Sequence, residues 1–191
     1  MVDCAIEEYD RIAFTIPDEE ADEDRDFCES HSFRRWLNNY PDYKTLGCGM
    51  TRATLRNIST NCVIKFAYNG DGIRANELEV SSYLKIKKYY PRALVLFNPI
   101  RAYSRDYEWI LVNRAHRIGE VDPADVQARL IFYGLEVPDL HTDNLGFNEN
   151  GQPVIIDWGF GTNIDQLLAS GRHRTREHLC PLLNRPCRFN E

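Results

Sequence analysis

The chain has 191 residues and a mass of 22.2 kDa, and 43% of its residues are hydrophobic, enough for one well-packed domain or one domain cut into two small lobes, and too many for wholesale disorder. Its formal net charge of −6 argues against unspecific binding of duplex nucleic acid, so nucleic acid is disfavoured as a partner. No apolar run reaches the roughly 18 residues of a membrane span, and the opening MVDCAIEEYD is acidic where a signal peptide would be basic, so a cytoplasmic location is expected.

Residues 1–30 carry 12 acidic and 2 basic side chains, whereas the remainder is net +4. The segment DEEADEDRD (18–26) reads as a solvated acidic stretch, either a solubility element or a contact for a basic partner. From Ser32 to Tyr40, SFRRWLNNY predicts a short amphipathic helix with Phe33, Trp36 and Leu37 on one side, ended by Pro41. Residues 1–42 therefore form an acidic extension. YKTLGCGMTRATLRN (43–57) reads as strand, glycine turn, strand, and NCVIKFAY (61–68) as a third strand. After the turn NGDG (69–72), a helix is expected over IRANELEVSSYLKIKKYY (73–90), closed by Pro91, with Val80, Tyr83 and Leu84 on its inward surface. ALVLFN (93–98) and YEWILV (107–112) read as two more strands. Residues 43–112 thus predict a small antiparallel sheet with one main helix packed on it.

Composition shifts after Val112, and residues 113–119 form a polar connector. Asp122 and Pro123 open a helix in which Val126, Leu130 and Tyr133 recur at helical spacing. Pro138–Asn144 is turn-like, and Leu145–Phe147 and Pro153–Ile156 are short strands joined by NENG (148–151). One further helix is expected over 163–169, then the basic tail GRHRTREHLCPLLNRPCR (171–188), which reads as a solvated terminus, an internal contact for residues 18–26, or a binding patch. The six cysteines at 4, 28, 48, 62, 180 and 187 contain no Cys-x-x-Cys pair and read as free, mostly buried thiols in a reducing compartment.

Four signals carry chemistry. Gly47 and Gly49 in LGCGMTR (46–52) lie between two strands, where a turn could pass close above phosphates, although such a pair is equally compatible with a plain hairpin. In VIKFA (63–67), Lys65 shares a strand face with Val63 and Ala67, and needs a charged partner unless it snorkels at an edge. On the following helix Glu79 is the first choice of partner and Glu77 the second. In VPDLHTDNLGFNENGQPVIIDWGFG (137–161), folding the hairpin back brings Asn144 beside Asp157 as two oxygen ligands for a magnesium ion, with Asp139 on the same side to accept a proton from a hydroxyl. Cys48, within the glycine turn, reads as a small turn residue or a reactive thiol.

LGCG, VIKFA, ELEV, DLHTDN and IDWG, in this order, resemble the protein-kinase-like superfamily, nearest to its aminoglycoside- and choline-phosphotransferase-like branch and to compact kinase-like proteins of phages. The resemblance covers about residues 43–162. It implies a two-lobed α+β fold, with an N-lobe over 43–112, a hinge over 113–119 and a reduced C-lobe over 120–191. It implies ATP or GTP and Mg2+ as cofactors. Gly47 and Gly49 would lie over the phosphates, Lys65 would contact them while held by Glu79, and Val112, Asn113 and Ala115 would meet the base. Asp139 would be the catalytic base, and Asn144 and Asp157 the metal ligands. The pattern departs from the family at Val137, where a histidine is usual, and at Arg52, where a third loop glycine is missing. Only 30 residues follow Gly161, too few for a large acceptor-binding subdomain. Two readings follow: a phosphotransferase acting on a small-molecule hydroxyl or a docked protein, and a pseudokinase that binds, inhibits or scaffolds a host protein in the host cytoplasm.

Overall fold

A computed structural model describes residues 31–116, 119–159 and 161–170. The acidic stretch 18–26, the basic tail 171–188 and Cys4, Cys28, Cys180 and Cys187 lie outside the described residues. The fold is α+β, with one five-stranded and one two-stranded sheet among the described residues.

Helix α1 (His31–Asn39) leads into strands β1 (Tyr43–Cys48), β2 (Arg52–Asn57) and β3 (Cys62–Ala67). Helix α2 (Gly70–Tyr89) follows, then a 3-10 turn (Pro91–Leu96) and strands β4 (Ile100–Tyr103) and β5 (Trp109–Asn113). The sheet is antiparallel throughout, in the order β1-β2-β3-β5-β4. Strand alternation divides its side chains between two faces. Ala53, Leu55, Ile64, Phe66, Trp109 and Leu111 form one apolar layer with Phe33 of α1. Val63, Ile110 and Val112 form the other with Val80 of α2. The register pairs Arg52 with Ala67 and Thr54 with Lys65, so Arg52 and Lys65 share the face that α2 covers.

Helix α2 starts where the Asn69 side chain accepts a hydrogen bond from the Gly72 N–H at 2.9 Å. Its buried positions include Asn76, Glu79, Val80 and Ile86. Leu84, expected to face inward, is instead exposed. A second correction concerns 93–98, expected as a strand. Pro91 fixes the start of a 3-10 turn there, Ala93 and Leu96 are buried three positions apart, and Val95 between them points outward. That spacing matches the three-residue period of a 3-10 turn and not the two-residue period of a strand.

Helix α3 (Pro123–Tyr133) is capped by Asp122, whose carboxylate accepts from the Ala124 N–H at 2.8 Å, and ends at Gly134 with φ 71°. A short 3-10 turn (Thr142–Asn144) precedes the hairpin of β6 (Leu145–Phe147) and β7 (Pro153–Ile155), and α4 (Ile164–Ala169) follows. A further core cluster gathers Ile86, Leu96, Phe97, Val126, Leu130, Leu135, Val137, Leu145, Ile155 and Trp158. Val137, at the position where the resemblance leads one to expect histidine, is thus a core residue.

Two contacts fix the β6–β7 hairpin against the segments that enter and leave the β4–β5 pair of the large sheet. The Asn98 N–H donates to the Ile155 carbonyl at 3.0 Å, and His116 and Phe147 exchange backbone hydrogen bonds at 2.8 Å. Gly146 permits this approach, because a Cβ there would stand 3.1 Å from the Ala115 Cβ and 3.4 Å from the His116 carbonyl oxygen. Asp157, two residues beyond β7, is carried toward α2 and the large sheet as a result.

Candidate functional site

The centre of the site is a buried ionic cluster. Lys65 is 4% exposed and Glu79 is 1% exposed. The Lys65 ammonium donates to both oxygens of Glu79, at 2.7 and 2.9 Å. Strand alternation turns Lys65 inward, and the third turn of α2 brings Glu79 over it. Asp157 joins from the segment just after β7, with its Oδ1 3.6 Å from the Lys65 nitrogen.

A fourth member went unnoticed as a site residue in the sequence. Arg52, 9% exposed, donates from Nη1 to Glu79 Oε2 at 2.8 Å and to Asn76 Oδ1 at 3.1 Å, and from Nη2 to Asp157 Oδ1. Asn76 is itself held by the Tyr107 carbonyl at 2.8 Å. Gly159 makes room for the guanidinium, since a Cβ on Gly159 would lie 2.6 Å from Arg52 Nη2. The alternation of β2 carried the signal: Ala53 and Leu55 face one way, which leaves Arg52 on the side of Lys65.

The charges stabilise one another. Burial works against ionisation of Asp157, but the Lys65 and Arg52 cations and the Gly159 N–H hold its carboxyl well below the usual carboxylate range. Burial likewise opposes the charge on Arg52, and Glu79 and Asp157 more than offset this, keeping its pKa above the ordinary arginine value.

Asn144 and Asp139 are linked to this cluster through the backbone. The Asn144 carbonyl accepts from the N–H groups of Ile156 at 2.8 Å and Asp157 at 3.4 Å. Its side-chain amide donates to the Asp139 carbonyl at 2.9 Å. Asp139 adopts the left-handed conformation, φ 58°, and its carboxylate is exposed, 3.6 Å from His141 Nε2. The chain therefore runs from Lys65 to Asp157 to Asn144 to Asp139 through successive contacts.

Among the described residues, no group of three or more His, Cys, Asp or Glu side chains is arranged to hold a metal. The two residues expected from the sequence to hold a cation, Asp157 and Asn144, are adjacent through the backbone contacts above. Arg52, Lys65 and the Gly159 N–H all address Asp157 Oδ1, and the side chain is 44% exposed. The amide nitrogen of Asn144 is turned to the Asp139 carbonyl. Carboxylate and amide oxygens are hard donors of the kind magnesium accepts.

The remaining sequence-named residues are placed less directly. Gly47 lies in β1 at a bulge, and neither Gly47 nor Gly49 has positive φ. The Gly49 N–H donates to the Arg52 carbonyl at 2.9 Å, so it is already engaged within the turn. The Tyr68 hydroxyl donates to the Gly49 carbonyl, tying the turn to the start of α2. Cys48 is disulfide-bonded, which corrects the expectation of a free thiol there, because an oxidised sulfur has no thiolate to react; Cys62 is free. In the connector, Val112 is buried, and the Asn113 carbonyl accepts from the Asn98 amide at 2.7 Å. Ala115 faces Gly146 across the approach described above. A separate cleft of about 500 Å³ is lined by Tyr90, Tyr133, Leu135, Glu136, Asn163 and Leu167, and no member of the ionic cluster borders it.

No protein-family model matches the chain, and no curated protein is significantly similar to it in sequence. No helix among the described residues is long and apolar enough to cross a membrane.

Proposed function

We propose that this protein binds ATP or GTP with magnesium and transfers a phosphoryl group to a hydroxyl acceptor, on a reduced kinase-like fold with an N-lobe over 43–112 and a C-lobe over 120–191. The observation that carries this reading is the buried Lys65–Glu79 pair at 2.7 Å with Asp157 3.6 Å from the same ammonium. Burying Arg52, Lys65 and Glu79 together, with Asp157 only partly covered at their edge, is costly, and structural need alone is often met as well by apolar residues. Two cationic side chains gathered beside a partly exposed carboxylate suit a polyanion and its metal.

In this reading Lys65 donates to the phosphates, and Glu79 keeps it aimed. Asn144 and Asp157 would hold magnesium, which supplies neutralisation of charge on the phosphates. Asp139, exposed and held by Asn144, accepts the hydroxyl proton of the acceptor. Val112, Asn113 and Ala115 would line the base. Positioning and charge neutralisation carry most of such a transfer.

The second reading, a pseudokinase-like interaction protein, is favoured by one observation: Arg52 already occupies Asp157. The two are separated by incubating the protein with labelled ATP and cell lysate, beside Asp139→Asn. The phosphotransferase labels an acceptor, and the variant loses roughly 100-fold or more of that rate with nucleotide affinity retained. Equal labelling by both proteins removes Asp139 from its role, and no labelling with retained nucleotide binding selects the interaction protein.

A further inference from the structure

Arg52 is a resident counter-ion of the proposed metal site. We propose that its guanidinium holds Asp157 in the nucleotide-free protein and keeps divalent cations off that carboxylate until a polyphosphate brings compensating negative charge. The inference rests on the proposed nucleotide site.

Three observations support it. First, the cluster is charge-balanced: the cations Arg52 and Lys65 face the carboxylates Glu79 and Asp157. A bare divalent ion on Asp157 would meet one guanidinium in contact with the same carboxylate and an ammonium 3.6 Å from it. Repulsion of that kind is strong at such range, even where solvent screens it. Second, the arginine is built in. It is 9% exposed and is also bonded to Glu79 at 2.8 Å and Asn76 at 3.1 Å. A side chain that merely strayed onto Asp157 would not have two further partners. Third, the opposite wall is cut to fit it, since any side chain at residue 159 would collide with the guanidinium.

Replacing Arg52 by a neutral residue leaves Lys65 alone against two carboxylates, a net charge of −1, with Asp157 released. The same substitution that removes a cation thus creates an affinity for one. A nucleotide triphosphate adds several negative charges and reverses the balance in the intact protein, so metal and nucleotide bind together.

The test uses the full chain without nucleotide and reads Mn2+ binding from loss of the free-ion paramagnetic resonance signal. The wild type is expected to bind no Mn2+ at Asp157 at about 1 millimolar, the weak end of the affinities of carboxylate cation sites. Arg52→Met should bind at least about tenfold more tightly, and Arg52→Met with Asp157→Asn should lose that gain. Arg52→Lys, which keeps the charge, should stay near wild type. Binding by the wild type that Asp157→Asn abolishes overturns the inference, as does failure of folded Arg52→Met to gain affinity. If Arg52→Met does not fold, the wild type and its Asp157→Asn variant still decide the matter. Because no nucleotide is present, the outcome is independent of whether the protein binds ATP.

Discussion

The Arg52 guanidinium is ion-paired with the Asp157 carboxylate across 105 positions of sequence. The contact joins the second strand of the large sheet to the residue that follows the small one. Glu79 anchors the same guanidinium from α2, so three separate elements meet at one charged group. The stability of the cluster and the chemistry proposed for it therefore depend on the same few atoms.

Glu79 is the member whose loss is most costly. Its two oxygens hold Lys65 and Arg52 together. In Glu79→Ala both cations remain buried with Asp157 as their shared carboxylate. Breaking such a buried pair costs about 3–5 kcal/mol, which for a chain of this size lowers the melting temperature by roughly 10 °C. Thermal unfolding followed by circular dichroism checks this. A shift of less than about 2 °C would show that the cations find other partners.

Gly159→Ala tests the fit around Arg52 from the opposite side. The added methyl would lie 2.6 Å from Nη2 and 3.1 Å from the Ala75 Cβ. Overpacking of this kind costs about 1–3 kcal/mol. The variant should melt earlier than wild type and, with its guanidinium pushed off Asp157, should gain Mn2+ affinity. A variant indistinguishable from wild type in both would mean that this wall does not constrain the arginine.

Acid sensitivity follows from Asp157. Its folded pKa lies below the unfolded value near 3.8, so the folded state binds this proton less readily than the unfolded chain. The stability it contributes is complete above about pH 4 and is lost as pH falls through the folded value. Denaturant unfolding between pH 5 and pH 2, a range that spans ordinary carboxylate titration, should show a shallower acid decline in Asp157→Asn than in wild type. Parallel declines would assign the acid limb to other carboxylates.

Much of this arrangement was legible in the sequence. The alternation in VIKFA turned Lys65 inward, the helix after it offered Glu79, and the hairpin 145–156 brought Asp157 back beside Asn144. Arg52 was legible only in part. It stood out as a missing glycine, whereas its strand parity, set by Ala53 and Leu55, already placed it on the face of Lys65. The 93–98 segment was misread because a run of apolar residues has no clear period until Pro91 starts a 3-10 turn. Leu84 was assigned inward from a helical stripe, yet the inward face of α2 is partly polar, with Asn76 and Glu79 serving the cluster. A search for an apolar stripe misses a helix face that exists to carry charge.

Calorimetric titration of the full chain with ATP in the presence of magnesium, beside Lys65→Met, tests the central claim most directly. The account predicts one binding event for the wild type and its loss when the ammonium is removed from a still-folded protein. No heat and no rise in melting temperature at millimolar ATP or GTP would contradict it, as would equal binding by Lys65→Met.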